Sequence, residues 1–338
     1  MSAPLGVAVV GCGLIGRRRA ECAAARPDCR LVVVADAERA RAEVIAAELG
    51  AAVAEEWREA VAWPGVEAVA VCTPNGLLAE IGITALEAGR HVLLEKPMGR
   101  NREEAEALAA AARASGRVLK VGFNHRYHPG VRRAREIVAS GGIGRVVNLR
   151  ARYGHGARPG CEAEWRADPQ LAGGGELTDQ GVHLADLFHW FAGPAREAFG
   201  MVQTAVWRIA PLEDNGYGLF RFEGGAVGQL HATMTQWKNL FSLEVTGETG
   251  AVVVEGLGGS YGTERLVHVQ RRMEGGVPEV REETFPGPDG SWAAEWDDFV
   301  GGVVEGRPML GGVEDGLVAM RMIDALYRSA RERAMVAV

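Results

Sequence analysis

Val9-Val10-Gly11-Cys12-Gly13-Leu14-Ile15-Gly16 is the stretch that decides the fold of this chain of 338 residues. It has the form G-x-G-x-x-G, follows an apolar run that predicts a strand, and leads into a predicted helix. Gly11 permits a tight turn, Gly13 leaves room for a pyrophosphate, and Gly16 lets helix and strand approach closely. Asp36 ends the second predicted strand, where a carboxylate accepts hydrogen bonds from ribose hydroxyls. Together these features predict a dinucleotide-binding Rossmann domain.

The same residues predict which dinucleotide is bound. The negative charge of Asp36 would repel the 2′-phosphate of NADP, which favours NAD. Arg39 and Arg41 follow closely and could serve a 2′-phosphate if Asp36 turned away, so NADP stays an alternative. A solvated helix face is the commoner role for such arginines, and we expect the three arginines at positions 17–19 to face solvent as well.

Composition narrows the class of protein. The hydrophobic fraction of 47% and the charged fraction of 24% are ordinary for a folded protein and exclude a disordered or fibrous chain. The 46 glycines are about twice the usual ~7%, but no Gly-X-Y period is present, which excludes collagen. A net charge of −7 argues against nucleic acid or an anionic membrane as a partner.

The setting predicted for this chain is the cytoplasm. No apolar run reaches the ~18–20 residues that a membrane helix needs, and the first residues lack the basic region of a secretory signal. The five cysteines are scattered and form no C-x-x-C motif, so we expect neither a disulfide framework nor a metal site.

The pattern of apolar runs predicts an α/β chain of two domains, with the boundary between residues 124 and 125. The first domain alternates buried-type strands (6–10, 30–35, 51–54, 66–72, 91–95 and 117–123) with helical segments (37–49, 77–88 and 102–114), as parallel βαβ units do.

Residues 125–338 predict an α+β domain with a large, open, mostly antiparallel sheet. Its strands are 145–153, 199–209, 217–222, 226–236, 240–246, 251–254 and 266–271; its helices are 131–140, 178–191, 292–304 and 313–331. We expect the helix at 313–331 to pack back on the first domain.

Polar residues follow the fourth and fifth predicted strands. Thr73-Pro74-Asn75 comes after the fourth, and Glu95-Lys96-Pro97 after the fifth. The carboxyl ends of parallel strands form the ligand-binding edge of a doubly wound sheet. A lysine at the rim of a nicotinamide site can polarise a hydroxyl or carbonyl oxygen and hold its proton. The predicted cofactor contacts are Gly11, Gly13, Leu14, Ile15, Gly16, Asp36, Thr73, Pro74, Asn75, Glu95, Lys96, Pro97 and Asn124.

A second glycine run, at 173–175, precedes a helix that carries ionisable residues. If Thr178 caps this helix, then Asp179, His183 and Asp186 fall at i, i+4 and i+7 and share one face. A carboxylate and an imidazole placed in this way can bind a polyhydroxy substrate and move a proton. A structural Asp–His pair at a helix start is an equally good interpretation of this segment alone. No third ligand stands at a metal-site spacing.

In combination, these motifs resemble the glucose–fructose oxidoreductase/inositol dehydrogenase (Gfo/Idh/MocA) family over nearly the whole chain, from residue 6 to about 322. The similarity rests on the first glycine loop, Thr73-Pro74-Asn75, residues 88–97 ending in Glu95-Lys96-Pro97, the Gly122-Phe123-Asn124-x-Arg126-Tyr127 segment, and the helix start at 173–186. The resemblance implies an NAD(P)-dependent oxidation or reduction of a sugar, sugar nucleotide, sugar acid or cyclitol. It also implies a homodimer or homotetramer formed through the C-terminal sheet.

The resemblance also implies roles for individual residues. Lys96 matches the catalytic lysine of the family, Asp179 its substrate-orienting carboxylate and His183 its proton-accepting histidine. Pro97 matches a proline that often follows a cis peptide bond. Where the family often has T-P-N-x-x-H, this chain has Leu78 in place of the histidine, a change that we expect to alter the pocket near the cofactor.

Substrate contacts are harder to predict from the sequence. Arg126, His155, Arg158 and Arg166 could meet a phosphate, carboxylate or nucleotide diphosphate, and Trp165 could stack on a sugar. For each of them, a surface cation or a core aromatic is an equally good interpretation.

Two other activities fit the same motifs. One is a redox-assisted glycosidase that oxidises its sugar transiently, and the other is a non-catalytic NAD-dependent regulator. The presence of Lys96, Asp179 and His183 argues against the regulator.

Overall fold

The computed structural model describes residues 3–338, which divide into two compact units. The first unit comprises the described residues up to Phe123 together with Trp292–Leu317, and the second comprises Asn124–Ser291 and Val318–Val338. The strands are β1 (Leu5–Val10), β2 (Cys29–Ala35), β3 (Ala52–Val53), β4 (Ala68–Val71), β5 (His91–Leu94), β6 (Leu119–Val121), β7 (Val146–Gly154), β8 (Ala195–Gln203), β9 (Asn215–Phe222), β10 (Val227–Thr233), β11 (Leu240–Gly247), β12 (Gly250–Glu255), β13 (Glu264–Gln270), β14 (Glu279–Phe285) and β15 (Val336–Ala337). The α-helices are α1 (Leu14–Ala24), α2 (Arg39–Leu49), α3 (Trp57–Ala62), α4 (Asn75–Glu87), α5 (Arg102–Ser115), α6 (Pro129–Ala139), α7 (Pro169–Ala172), α8 (Val182–Ala192), α9 (Ser291–Glu305) and α10 (Val313–Glu332).

The first unit contains a six-stranded sheet in the order β3-β2-β1-β4-β5-β6. Its strand pairs are all parallel, and every residue of β1 is buried, as expected for a parallel sheet covered on both faces. The strand order reverses between β1 and β4, so the ligand-binding crevice of such a sheet opens at their carboxyl ends. The predicted Rossmann architecture is confirmed.

The core of the first unit includes a helix from near the end of the chain. Val7 and Val9 of β1 belong to the same buried cluster as Trp296 and Phe299 of α9. The helix that the sequence analysis assigned to this role was the one at residues 313–331. In the structure the first unit takes up α9 and the chain as far as Leu317, and the rest of α10 belongs to the second unit.

The second unit contains a nine-stranded sheet in the order β14-β13-β12-β11-β7-β10-β9-β8-β15. The strand pairs are antiparallel except for β10 with β7, which are parallel. Buried and exposed residues alternate along β9, which is the pattern of a sheet with one face in solvent. The predicted open, mostly antiparallel sheet is therefore confirmed.

Two details of that sheet differ from prediction. The strand predicted over residues 199–209 ends at Gln203, because the Asp214 carboxylate accepts hydrogen bonds from the backbone N–H groups of residues 205–207 and folds them into a loop. The strand β14 was missed because six of its seven residues are exposed, so its sequence carries no apolar alternation.

Across residues 3–338, no helix combines the length and apolar character needed to cross a membrane. The same residues contain no group of three or more His, Cys, Asp or Glu side chains placed to hold a metal ion. All five cysteines are free thiols.

Candidate active site

The glycine loop between β1 and α1 is shaped by close backbone packing. Gly11 has φ +90°, a conformation that side-chain-bearing residues rarely adopt. A Cβ atom on Gly16 would lie 1.7 Å from the carbonyl oxygen of Gly11. Both positions therefore require glycine, for the reasons predicted from the motif.

The second glycine of the loop, Gly13, faces open space. A Cβ on Gly13 would meet no atom within 4 Å, and no side chain caps the helix that begins after it. The next side chain, Leu14, is 72% exposed. The start of α1 thus presents backbone N–H groups and a partial positive charge to that space, as a phosphate site requires.

The carboxylate of Asp36 is held against the loop. Its Oδ2 accepts a hydrogen bond from the backbone N–H of Cys12 at 2.6 Å, and its Oδ1 from that of Glu38 at 2.8 Å. A carboxylate has about four acceptor positions, so these two bonds leave capacity for ribose hydroxyls. Arg39 and Arg41 form ion pairs with Glu43 and Glu38, respectively, on the exposed surface of α2.

A further polar group lies after β4. The hydroxyl oxygen of Thr73 is buried and has no hydrogen-bond partner among the described residues. Asn75 begins α4 and is 5% exposed. Leu78 is fully buried. Leu78 thus packs in the core, and its effect on the pocket near the cofactor stays a prediction.

These residues fit a bound dinucleotide. An open glycine at a helix start, an oriented carboxylate after β2 and an unsatisfied hydroxyl after β4 all lie at the carboxyl edge of the parallel sheet. This edge is where a doubly wound sheet binds its ligand.

Lys96 follows β5 at the same edge of the sheet. Its side chain is partly exposed, and the Lys96–Pro97 peptide bond is cis, as the resemblance implied. Glu95, a predicted cofactor contact, is instead bound by Arg19, whose Nε and Nη2 lie 2.8 and 2.6 Å from its Oε1. Arg19 is fully buried, and its Nη2 also donates to Glu295 at 2.6 Å. The expectation that Arg19 faces solvent was therefore wrong.

In the second unit, Asp179 and His183 lie where two kinds of helix join. Asp179 is in a π-helical turn, Leu177–Gly181, and His183 is in the first turn of α8. His183 is 4% exposed, and Asp179 is half-buried. The predicted Thr178 cap is wrong, because Thr178 lies inside the π turn and its hydroxyl hydrogen-bonds to that of Tyr327 at 3.1 Å.

A buried glutamate fixes this junction. Glu213 accepts hydrogen bonds from the backbone N–H of Gly175 at 3.2 Å and of Leu177 at 3.0 Å, and from the hydroxyl of Tyr327 at 2.6 Å. Burial raises the pKa of its carboxyl group above the ordinary value. A Cβ on Gly175 would lie 2.1 Å from the carbonyl oxygen of Glu213, which explains a glycine at this position.

Aromatic side chains surround His183. The ring of His125 lies 3.9 Å from that of His183, centroid to centroid, and the ring of Tyr153 lies 6.0 Å away. Tyr153 also contacts Tyr261 at 5.4 Å, and burial raises the pKa of its hydroxyl well above the ordinary value. No local pattern in the sequence marks His125 or Glu213 for this site, because their neighbours are contributed by distant segments.

Two predicted substrate cations have protein partners instead. Arg126 is 2% exposed and binds Asp186 through two hydrogen bonds of 2.9 and 2.7 Å. This buried ion pair has a structural role, which corrects the predicted substrate contact. Arg158 is exposed and pairs with Glu164 at 2.8 Å, which agrees with the alternative interpretation of this residue as a surface cation.

The remaining predicted substrate residues lie nearer Asp179. Arg166 donates to the Asp179 carboxylate at 3.2 Å, and its guanidinium stacks 4.3 Å from the centre of the Trp165 ring. His155 Nδ1 accepts from the backbone N–H of Ala157, which leaves the proton of the neutral ring on Nε2.

Asn124, a predicted cofactor contact, begins the second unit. Its amide nitrogen donates to the Ser291 hydroxyl at 3.0 Å, and its amide oxygen lies 3.2 Å from His125 Nδ1. Both ends of this side chain are therefore engaged within the second unit.

Comparison with known families gives two matches that together span most of the chain. A family model described as an oxidoreductase family with an NAD-binding Rossmann fold matches residues 5–123. A model of the GFO/IDH/MocA C-terminal domain matches residues 131–253.

Several proteins with related sequences are named as dehydrogenases of sugars or sugar derivatives. The chain is 28% identical to levoglucosan dehydrogenase of Pseudarthrobacter phenanthrenivorans, over 83% of this chain and 82% of that protein. It is 27% identical to D-glucoside 3-dehydrogenase of Escherichia coli, over 97% and 96% of the two chains. A solved structure of levoglucosan dehydrogenase in complex with NADH and L-sorbose superposes with a TM-score of 0.90 at 25% identity, covering 100% of this chain and 99% of that one.

Proposed function

Because the chain belongs to the GFO/IDH/MocA family of NAD-binding oxidoreductases, we propose that it oxidises a secondary hydroxyl, or reduces the corresponding ketone, of a sugar or cyclitol. The observation that carries the proposal is the junction of the π turn and α8, where Asp179 and the buried His183 are held by the Glu213 network. Relatives that align with nearly the whole chain are named as dehydrogenases of glucosides and of inositol, which supports this substrate class.

We propose that NAD is the preferred cofactor. Gly13 and the start of α1 hold the pyrophosphate, Asp36 the adenosine ribose, and Thr73 a group at the edge beside β4. Bound NAD would supply the acceptor for a substrate hydride, and bound NADH would supply the hydride in the reductive direction. The pairing of Arg39 and Arg41 with neighbouring glutamates supports NAD over NADP, because a 2′-phosphate would have to displace an ion pair.

Three side chains then act on the substrate. His183 removes the proton of the reacting hydroxyl, and it returns that proton in the reductive direction. Lys96 of the first unit has the role that the resemblance implies, which is to stabilise negative charge on a substrate oxygen. Asp179 accepts hydrogen bonds from a neighbouring hydroxyl and so orients the ring of the sugar.

The activity is tested by the change in absorbance at 340 nm with a panel of inositols, free sugars, sugar acids and nucleotide sugars, each with NAD and NADP. Lys96→Ala and His183→Ala are each expected to lower kcat/KM by about 100- to 10,000-fold, as the loss of one acid–base group does. His268→Ala, which removes a partly buried imidazole from β13, is the control and should retain activity. Wild-type turnover in the Lys96 and His183 variants would refute the assigned roles. Release of an aglycone with no net absorbance change would instead point to the redox-assisted glycosidase.

We also propose that the enzyme forms a homodimer or homotetramer through the exposed face of the nine-stranded sheet. Met201, Tyr217, Leu219 and Val227 on β8, β9 and β10 are exposed by 60, 39, 43 and 45%. The strand registers place these four side chains on the same face of the sheet. A contiguous apolar patch of this kind is typical of a protein–protein interface.

A further inference from the structure

Two buried imidazoles lie against each other in the second unit. His125 belongs to a single 3-10 turn, Asn124–Tyr127, and His183 to the first turn of α8. Their ring centroids are 3.9 Å apart with an interplanar angle of 35°, and the residues are 3 and 4% exposed. The two rings thus meet with almost no access of water.

The hydrogen bonding of Asn124 fixes the neutral form of His125. The Asn124 amide nitrogen donates to the Ser291 hydroxyl, so the amide oxygen is the atom that faces His125 Nδ1. A carbonyl oxygen only accepts, and therefore His125 Nδ1 carries a proton. The second proton of a charged His125 would bind at Nε2.

Three side chains in ring contact with His125 are Tyr153, Phe241 and His128. Tyr153 of β7 lies 4.9 Å from its ring and is neutral, because burial raises the pKa of the hydroxyl well above the ordinary value. Phe241 of β11, at 5.6 Å, is apolar. His128, at 5.7 Å, is itself 3.2 Å from the carboxylate of Glu264.

Three carboxylates lie on the helical segment that carries His183. Two of them are paired with arginines, and the third lies near a histidine. Asp186 is bound by Arg126, and Asp179 by Arg166. The carboxylate of Glu176 lies 3.7 Å from His155 Nε2. The strand β10 contributes the buried apolar residues Leu230 and Ala232.

Because two imidazolium charges about 4 Å apart repel each other, the second proton binds more weakly than the first. In bulk water this repulsion would weaken the second protonation by about fivefold, and burial increases that factor. Two groups that interact so strongly titrate as a pair, with apparent pKa values that belong to the pair.

We propose that His125 is a positioning residue for the proton transfer assigned to His183: the two imidazoles share a single proton, and His125 sets the pH range over which His183 can accept one. When His183 takes a proton from the substrate, His125 must be neutral. This inference rests on the proposed function for its catalytic meaning, but the coupling of the two rings can be measured without a substrate.

The test is a titration of the histidine side chains by NMR in the full-length enzyme, for the wild type, His125→Gln and His125→Phe. His183 resonances are assigned with His183→Gln. In the wild type, the His183 curve should show two steps, or a Hill slope below 1. In both His125 variants it should become a single step with a slope of 1. The glutamine variant keeps a donor for Asn124, and the phenylalanine variant keeps an aromatic ring. His231→Gln, which removes a histidine of β10, is the matched control and should leave the His183 curve unchanged.

A wild-type His183 curve that is already a single step, with the same midpoint in His125→Gln, would overturn the proposal. If the enzyme is active, the acid side of the pH profile of kcat/KM should have a Hill slope below 1 in the wild type and a slope of 1 in His125→Gln, as the NMR curves do. Coupled NMR curves in a protein that oxidises none of the polyols would count against the proposed function alone.

Discussion

At the scale of single residues, some predicted side chains face the carboxyl edge of the first sheet, where a ligand binds, and others are bound to partners inside the protein. Gly13, Asp36 and Lys96 keep open or accessible positions at the carboxyl edge of the first sheet. Glu95 was predicted as a cofactor contact and Arg126 as a substrate contact, but each is bound to a charged partner inside the protein. A buried charge needs such a partner, since its desolvation would otherwise be very costly.

Asp36→Asn tests the preference for NAD at this scale. The variant keeps an oxygen for the backbone N–H of Cys12 but removes the charge that would repel a 2′-phosphate. We expect the ratio of kcat/KM for NAD to that for NADP to fall by about tenfold or more. Arg133→Ala, which breaks only exposed ion pairs on α6 of the second unit, is the control and should leave the ratio unchanged. An unchanged ratio in the asparagine variant would show that Asp36 does not select the cofactor.

At the scale of secondary-structure elements, a π turn is what delivers Asp179 and His183. Glu213 holds its beginning through two backbone N–H groups, and Tyr327 of α10 connects Glu213 with Thr178 inside the turn. π-Helical turns are frequent at functional sites and need support from the surrounding structure.

Tyr327→Phe should weaken this support. Removing the hydroxyl leaves the buried Glu213 carboxylate and Thr178 each without one partner, which should lower the free energy of unfolding by about 1–2 kcal/mol. Because the turn carries Asp179 and His183, kcat/KM should fall as well. Urea denaturation and steady-state kinetics measure the two effects. Tyr217→Phe, on the exposed face of the sheet, should change the free energy by less than about 0.5 kcal/mol. Equal stability of the two variants would mean that the network does not hold the turn.

At the scale of the whole chain, a buried ion cluster joins segments that are far apart in sequence. Arg19 of α1 binds Glu95 after β5 and Glu295 of α9, all within the first unit. Burial raises the pKa of Glu295, which shows that desolvation outweighs the attraction of its cationic neighbours. The cluster therefore depends on Arg19 for its charge balance.

Arg19→Leu should destabilise the protein strongly. Breaking a buried ion pair by removing one member costs about 3–5 kcal/mol, because the remaining charge stays buried. Arg17→Leu is the matched control on the same helix: Arg17 is partly exposed and pairs with Glu21, so its loss should cost at most about 1 kcal/mol. Chemical denaturation measures the free energy of unfolding of both variants. A similar decrease in the two would show that the buried ion cluster stabilises the protein no more than an exposed ion pair does.

Assembly also belongs to the scale of the whole molecule. If the exposed face of the nine-stranded sheet joins protomers, Leu219→Glu places charges in the interface and should shift the protein toward the monomer. Light scattering coupled to size-exclusion chromatography measures the mass directly. Val44→Glu, on the exposed surface of α2 in the first unit, serves as the control and should leave the mass unchanged. A wild-type mass equal to that of one chain would rule out the proposed oligomer.

The sequence by itself determined the two-domain α/β architecture, the NAD-binding loop and the segments that carry Lys96, Asp179 and His183. These features are local: a strand, a glycine turn and a helix start can be identified because their signals lie within a few residues. Only the tertiary structure decided that Glu95 and Arg126 are internal ion pairs, that Asp179 lies in a π turn, and that His125 packs on His183. The two ion pairs join residues that are 76 positions apart, for Arg19 and Glu95, and 60 positions apart, for Arg126 and Asp186; burial and charge pairing at such distances leave no trace in a local pattern.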